Sequence, residues 1–506
     1  MGSLPSSPPL AVIDIGSNSG RVIVVRLSAG GHLEILSDAR TSLRLIRDLN
    51  GSGRLGGAAV DRTVGALQDF LAVAHSAGAR RVVAVATAAV REAGNGDDFI
   101  ARVAGATGVD IRVIDGDEEA HYAFTGAVHG LPVEGGVLVD VGGGSLEISH
   151  FRNRRALRGW TLPLGALRVT DRFLTSDPPK AGEMARLRDH VVQTLRAAAL
   201  PPLRADEAMV GTGGTIRNLA KVHRAAQTYP IPRLHGYELN RRGVRDVAEK
   251  VLATPLRRRS AISGLSADRA DSIVGGVLVV QTVMEAIGAA SMVVSGQGLR
   301  EGIAFEELSH ALPSTGAVRQ ASLTALASRF STWQAERSRR RARLAALLLD
   351  ILCPDAGDEM QETLDHAATI LDAGRSVDYY NRWEHAADIV LTADLRGFSH
   401  RSIALLAALI SRAGRDRVSL RPYSPLIDAT DRSMIDRVAM VLVLADEVER
   451  RMAPGAVATA VLRDRKRSSI ALELPIPYDW QAAGDVEARF HRVFGRSLVV
   501  VPVGGD

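Results

Sequence analysis

Cysteine is nearly absent, with Cys353 the only one among 506 residues. A lone thiol excludes a disulfide scaffold and fits a reducing compartment. Aromatic side chains make up only 4%, which leaves few stacking platforms and argues against a nucleic-acid partner. No run reaches the ~18 uninterrupted apolar residues of a membrane-spanning helix. Met1 to Leu10 is Ser/Pro-rich and lacks the basic and apolar regions of a signal peptide. The chain is therefore expected to be cytoplasmic, with no membrane partner. Lysine is almost missing too: Lys180, Lys221, Lys250 and Lys466 stand against 58 arginines. Codon bias accounts for much of that excess, but arginine also suits bidentate binding of phosphate.

What is present reads as ordinary globular protein. Hydrophobic residues make up 46%, charged residues 24%, and the formal net charge is +5, so three or four domains are expected. The run Ala11 to Ile15, the turn Gly16-Ser17-Asn18-Ser19 and the run Arg21 to Leu27 form a hairpin pattern. It returns 126 residues later as Val137 to Val141, Gly142-Gly143-Gly144-Ser145 and Leu146 to Ser149. One supersecondary unit is thus repeated. Helical patterns (Ala58 to His75, Asp97 to Thr107) alternate with strand patterns (Arg81 to Val85, Asp110 to Ile114), which implies α/β layers. A third glycine turn, Gly211 to Thr215, follows a strand. From Ala317 to about Arg451 the texture is helical; beyond Pro454, strands are expected at Ala456 to Leu462, Ser469 to Leu474 and Ser497 to Val503, with a helix at Asp485 to Phe494.

Each repeated turn puts an aspartate at a strand end beside small residues with free N–H groups. Gly142, Gly143 and Gly144 let the backbone approach an anion and form a nest for it. A carboxylate beside phosphate repels it unless a divalent cation intervenes, so Asp14 and Asp140 imply Mg²⁺ or Mn²⁺. Two such turns facing each other make a phosphate clamp, in which Ser17, Asn18, Ser145, Gly213 and Thr215 are substrate-binding candidates.

These segments resemble the phosphate and nucleotide-side motifs of the actin/sugar-kinase/Hsp70 superfamily. In detail the chain resembles the exopolyphosphatase/guanosine-pentaphosphate phosphatase family. The likeness is carried by Ala86-Thr87-Ala88-Ala89-Val90-Arg91-Glu92-Ala93, Asp117-Glu118-Glu119-Ala120, Val139 to Glu147, and Val294 to Gly302. It implies two actin-like (RNase H-like) lobes around a central cleft, at 10–134 and 135–307. After them it implies a helical HD-like domain at 308–451 and a small α+β domain at 452–506. It also implies that Glu119 is the catalytic base, that Arg91 binds substrate, and that Glu147 is a second carboxylate near metal and water. Arg44 and Arg47 match a less specific basic segment. Glu118 competes with Glu119, but adjacent helical residues lie ~100° apart and only one can face the cleft. Arg300-Glu301 reads equally as an ion pair. His121 departs from the arginine often found there in the family.

The helical region has no histidine beside Asp372, and His366, His385 and His400 are scattered, so a degenerate HD fold without metal chemistry is expected. Arg337, Arg339, Arg340, Arg341 and Arg343 form one basic run; Arg463, Arg465, Lys466 and Arg467 form another. Both read as solvated faces or as a track for a polyanion. The expected function is an exopolyphosphatase, acting on inorganic polyphosphate and releasing orthophosphate. The alternatives are a guanosine pentaphosphate (pppGpp) 5′-phosphatase, a bifunctional enzyme, or an actin-like ATP-binding switch or kinase. Long members of the family imply a homodimer.

Overall fold

A computed structural model describes residues 6–28, 30–309, 312–415, 417–453, 455–478, 480 and 484–503. The expected boundary at Pro454 and the last three residues, 504–506, lie outside the described residues. The chain divides into two compact units. One comprises Met1–Thr228 and Arg233–Val318, the other Tyr229–Pro232 and Arg319–Asp506.

The first unit holds two sheets built on one plan. In the first, β1 (Leu10–Ile15), β2 (Ser19–Leu27), β3 (Leu33–Ser42), β4 (Arg81–Ala86) and β5 (Ile111–Val113) lie in the order β3-β2-β1-β4-β5. In the second, β6 (Gly135–Val141), β7 (Leu146–Arg152), β8 (Arg155–Leu162), β9 (Ala208–Thr212), β10 (Tyr237–Asn240) and β11 (Ser291–Val294) lie in the order β10-β11-β9-β6-β7-β8. β1 and β6 are the equivalent central strands. Each pairs antiparallel with the next strand and parallel with the strand on its other side. Strands covered on both faces read as unbroken apolar runs, which is why Leu10 to Ile13 and Val137 to Val139 are almost wholly buried. Each run breaks at its aspartate, one residue before the strand ends.

The register makes the repeat precise in chemistry as well as in shape. Asp14 pairs with Arg21 across the first hairpin, and Asp140 pairs with Glu147 across the second. Gly16 N–H donates to Ser19 O at 3.2 Å and Gly142 N–H to Ser145 O at 3.0 Å, closing the two turns in the same way. One repeat therefore presents a cation where the other presents a carboxylate.

In the second unit, helices from Arg319 onward share one apolar core with a three-stranded sheet of β12 (Val461–Arg465), β13 (Ser469–Leu474) and β14 (Ser497–Pro502). The strand expected at Ala456 to Leu462 is displaced to Val461–Arg465. The hairpin turns at Arg467-Ser468, so only residues close to it reach the β13 ladder. No helix among the described residues is long and apolar enough to cross a membrane.

The basic run on the helix Ala335–Leu352 is neither a solvated face nor a continuous track. Arg341 is wholly buried and donates to Asp446 Oδ1 at 2.9 Å and to Asp372 Oδ2 at 2.7 Å. Arg337 and Arg340 both reach the buried Glu449, at 2.7 and 2.9 Å. Only Arg339 and Arg343 of the run are exposed. Burial works against the Arg341 charge, yet Asp446 and Asp372 override it and push its pKa up. Removing one partner of a buried ion cluster strands the others. Arg341→Met should cost about 3 kcal/mol or more in urea unfolding, whereas Arg339→Gln should stay within about 0.5 kcal/mol.

Candidate active site

The two hairpin turns meet. A Cβ on Gly144 would lie 2.9 Å from Ser17 Oγ, and one on Gly143 would lie 3.1 Å from Asn18 Cβ. Glycine is therefore required for the turns to approach this closely. Beside them lies a cleft lined by Asp14, Ser17, Asn18, Asp140, Gly142, Gly143, Gly144, Ser145, Glu147, Glu119 and Gly213, all anticipated from sequence. Gly213 has φ +87°, and a Cβ there would strike Asp140 Oδ1 at 2.3 Å. Its backbone thus packs directly on the second aspartate.

Glu118 and Glu119 separate as helix geometry requires. Asp115 caps the helix Gly116–His129: its carboxylate accepts from Glu118 N–H at 2.8 Å, and Glu118 Oε2 accepts from Asp115 N–H at 3.1 Å. Glu118 also pairs with Arg112 at the surface. A carboxylate engaged in a capping box is tied to the helix end. Glu119 faces the cleft instead, where Arg91 Nη1 donates to its Oε2 at 3.0 Å. The same Nη1 donates to Ile114 O at 2.8 Å, fixing the guanidinium behind the carboxylate. His121 turns to Glu306 and takes no part in lining the cleft.

The other anticipated residues lie elsewhere. Thr215 is buried against Gly276. Arg44 and Arg47 donate to Asp271 Oδ2 at 2.7 and 2.9 Å. Arg300 and Glu301, by contrast, both line the cleft as an ion pair at 3.9 Å, and Glu301 also accepts from Gly298 N–H at 2.8 Å. Sequence inspection missed Arg21, Arg217 and Arg269, all of which line the cleft. Arg269 lies flat over the start of the helix Gly213–Ala225, so that a Cβ on Gly214 would meet its Nη2 at 2.5 Å.

Charges of each sign are crowded and under-partnered. Burial raises Asp14 to about 6, helped by Asp140 and opposed by Arg300 and Arg21. Burial raises Glu119 to about 7, although Arg91 pulls it down. Glu147 is pushed well above the usual carboxylate range by burial and by its neighbours Glu119 and Asp140. The arginines move the opposite way: burial and then Arg217 lower Arg21 to about 8, and burial and then Arg40 lower Arg269 to about 10. Asp14 Oδ1, Glu147 Oε1 and both polar atoms of the Asn18 amide are buried without a hydrogen-bond partner, as are Arg269 Nε and Nη1. Such an arrangement is completed by a cation for the carboxylates and a polyanion for the arginines. Among the described residues no cluster of three His, Cys, Asp or Glu forms a ready metal cage. The orphaned Asp14 oxygen and the hard oxygen donors fit Mg²⁺, which typically takes one or two carboxylates and completes its shell with water and phosphate.

The sequence model described as the Ppx/GppA phosphatase family matches residues 23–311, and that of Ppx/GppA phosphatase, domain III, matches 318–488. The chain belongs to the Ppx/GppA phosphatase family. That makes it a phosphoanhydride hydrolase with the actin-like α/β fold and a helical C-terminal region. It is 33% identical over 314 residues to exopolyphosphatase 1 of Mycobacterium leprae, covering 61% of this chain and 92% of that protein. Exopolyphosphatase 2 of Mycobacterium tuberculosis is 31% identical over 311 residues, covering 58% and 97%. A crystal structure of the Aquifex aeolicus Ppx/GppA family member aligns with a TM-score of 0.53 at 29% identity, over 60% of this chain and 98% of that one. These relatives correspond to about three-fifths of the chain.

The charge crowding has a measurable consequence. The folded pKa of Asp14 is raised, so its contribution to stability is complete below about pH 4 and lost as pH rises through about 6. Asp14→Asn should therefore raise the melting temperature of ligand-free protein at pH 7.5. The gain should be about 1–2 kcal/mol, allowing for the water-facing edge of the cleft, and should shrink at pH 4. A calorimetric pH series checks both.

Proposed function

We propose that the chain is an exopolyphosphatase, hydrolysing the terminal phosphoanhydride bond of inorganic polyphosphate and releasing orthophosphate. The observation that carries this is Glu119, held by Arg91 and facing two apposed backbone turns among four arginines. Hydrolysis of this kind needs an oriented water, a base and stabilisation of charge on the transferred phosphoryl group. Glu119 orients the water and takes its proton; a carboxyl group raised towards neutrality suits that task. Glu147 lies close enough to perturb Glu119 and supplies a second acceptor on the water's side. The N–H groups of Gly143 to Ser145 and the Ser17 and Asn18 turn cradle the terminal phosphates. Arg21, Arg217, Arg269 and Arg300 neutralise those behind them. Asp14 and Asp140 would hold Mg²⁺ or Mn²⁺, which supplies charge stabilisation at the transferred group.

The cleft lining contains no aromatic ring among the described residues, which favours an all-phosphate substrate over pppGpp, whose base would want a stacking surface. The names of the mycobacterial relatives point the same way. We read the chain as a cytoplasmic homodimer, with lobes at 10–134 and 135–307 and a small α+β domain at 452–506. The region 308–451 reads as a degenerate HD-like domain, in which Arg341 bridges Asp372 and Asp446 as a cation would.

Two measurements test this reading. Glu119→Gln should lower phosphate release from polyphosphate by at least ~10²-fold with substrate affinity largely kept, while Glu118→Gln stays within a few-fold of wild type. The reverse pattern would overturn the assignment of the base. Activity should also require Mg²⁺ or Mn²⁺ and vanish in chelator, and pppGpp run in parallel should turn over more slowly. Faster release from pppGpp would make the nucleotide the substrate.

A further inference from the structure

The cleft arginines do not stop at its edge. Arg21 on β2 stands directly across from Arg40 on β3, and residues opposite each other in a ladder lie on the same sheet face. Arg40 lies close enough to depress the pKa of Arg21, Arg217 and Arg269. Beyond β3 the row continues with Arg44, whose left-handed backbone (φ 52°) begins the helix Leu45–Ser52, and with Arg47 on that helix. A row of guanidinium groups thus leaves the cleft along lobe I.

It ends on carboxylates of lobe II. Arg40 pairs with Asp268, and Arg44 and Arg47 converge on Asp271 Oδ2. Arg47 also lies 3.7 Å from Asp171. On the neighbouring edge Arg168 of lobe II donates to Glu92 of lobe I at 2.5 Å. Asp268 and Asp271 belong to one short segment, Ser266 to Ser272, and that segment sends its own Arg269 the other way, into the cleft. Asp271 Oδ1 is buried and accepts nothing, so one carboxylate oxygen serves two arginines while the other is idle. Two aspartates thus hold three arginines that stand in line with the substrate arginines.

We propose that Arg40, Arg44 and Arg47 form an outer phosphate-binding subsite for a long polyanionic chain. In the substrate-free protein Asp268 and Asp271 occupy it as a latch between the lobes. This rests on the polyphosphate reading above and extends it to phosphates beyond those in the inner cleft. Phosphates arriving along the row displace the carboxylates, because guanidinium pairs equally with either oxyanion and a chain brings several phosphates at once. Release of Asp268 and Asp271 loosens the segment that carries Arg269, so occupation of the outer subsite is coupled to the inner one. A chain too short to reach the row cannot open the latch this way.

The test compares wild type with Asp268→Asn/Asp271→Asn and with Arg40→Gln/Arg44→Gln, using tripolyphosphate and a polyphosphate of tens of units. Removing the carboxylates should lower KM for the long polymer by about threefold or more, with a smaller change for tripolyphosphate. Removing the arginines should raise KM for the long polymer selectively. A merely structural set of ion pairs would raise KM or leave it unchanged for both substrates in both variants, and that result overturns the proposal. Spin labels at Ala101→Cys and Ala185→Cys, with Cys353 buried, report the distance between lobes. It should lengthen in the aspartate variant without ligand, and an unchanged distance also counts against the latch. Should either double variant fold poorly, Asp271→Asn alone carries the same comparison. If wild type hydrolyses neither polymer, the proposed function fails. The latch is then judged by the label distance and by equilibrium binding of the two polyphosphates.

Discussion

Everything in the first unit depends on burying like charges together. Asp14, Asp140, Glu119 and Glu147 line the cleft together with Arg21, Arg217, Arg269 and Arg300. Buried charges ordinarily pair, and here Asp14, Glu147 and Arg269 each keep a buried polar atom without a hydrogen-bond partner. The four carboxylates shift up while Arg21, Arg217 and Arg269 shift down, which is the signature of buried groups short of counter-ions. The fold carries this cost because the sheets fix it: each aspartate ends a central strand whose neighbours are packed on both faces, so neither can retreat to solvent without dismantling the sheet.

Duplication explains how such a site is built economically. Both hairpins use the same turn bond and the same cross-strand register, so any residue in one has a structural twin in the other. Asp14 and Asp140 are twins of like charge and face a common point. Arg21 and Glu147 are twins of opposite charge. The first pair places two carboxylates together, and the second sets a cation in one hairpin where the other has a carboxylate. Symmetry of backbone with asymmetry of side chain is what turns two tight turns into a directed site.

Much of this was legible in the sequence, and the limits are instructive. The turns and their aspartates followed from local rules of spacing; helix geometry said that only one of Glu118 and Glu119 could face the cleft, and the family resemblance picked Glu119. Arg21 was missed although the repeat makes it the twin of Glu147, because an arginine among valines reads as an edge residue unless the register is carried through. Arg217 and Arg269 were not legible: they reach the cleft from a helix and a loop far along the chain, and only tertiary packing brings them together. Strand β12 slipped several residues because a hairpin's reach is set by its turn, and Ala456 to Ala460 carry no signal that separates strand from coil. Arg44 was identified as substrate-binding by position, whereas its pairing with Asp271 depends on the other lobe.

The arginine run at Arg337 to Arg343 shows why composition alone cannot separate a binding surface from a core. It is as basic as any stretch in the chain, yet its central member is wholly buried. The direction of the pKa shifts distinguishes the two cases. In the helical unit Arg341 and Arg337 are held up, and Asp372 and Glu449 are held down. Arg341, Arg337, Asp372 and Glu449 have thus each found an opposite charge. In the cleft the shifts run the other way for both signs. Burial is common to the two clusters, so burial is not what marks a site. What marks it is burial without compensation, and only a ligand set carrying both signs of charge would compensate both halves of this cleft together.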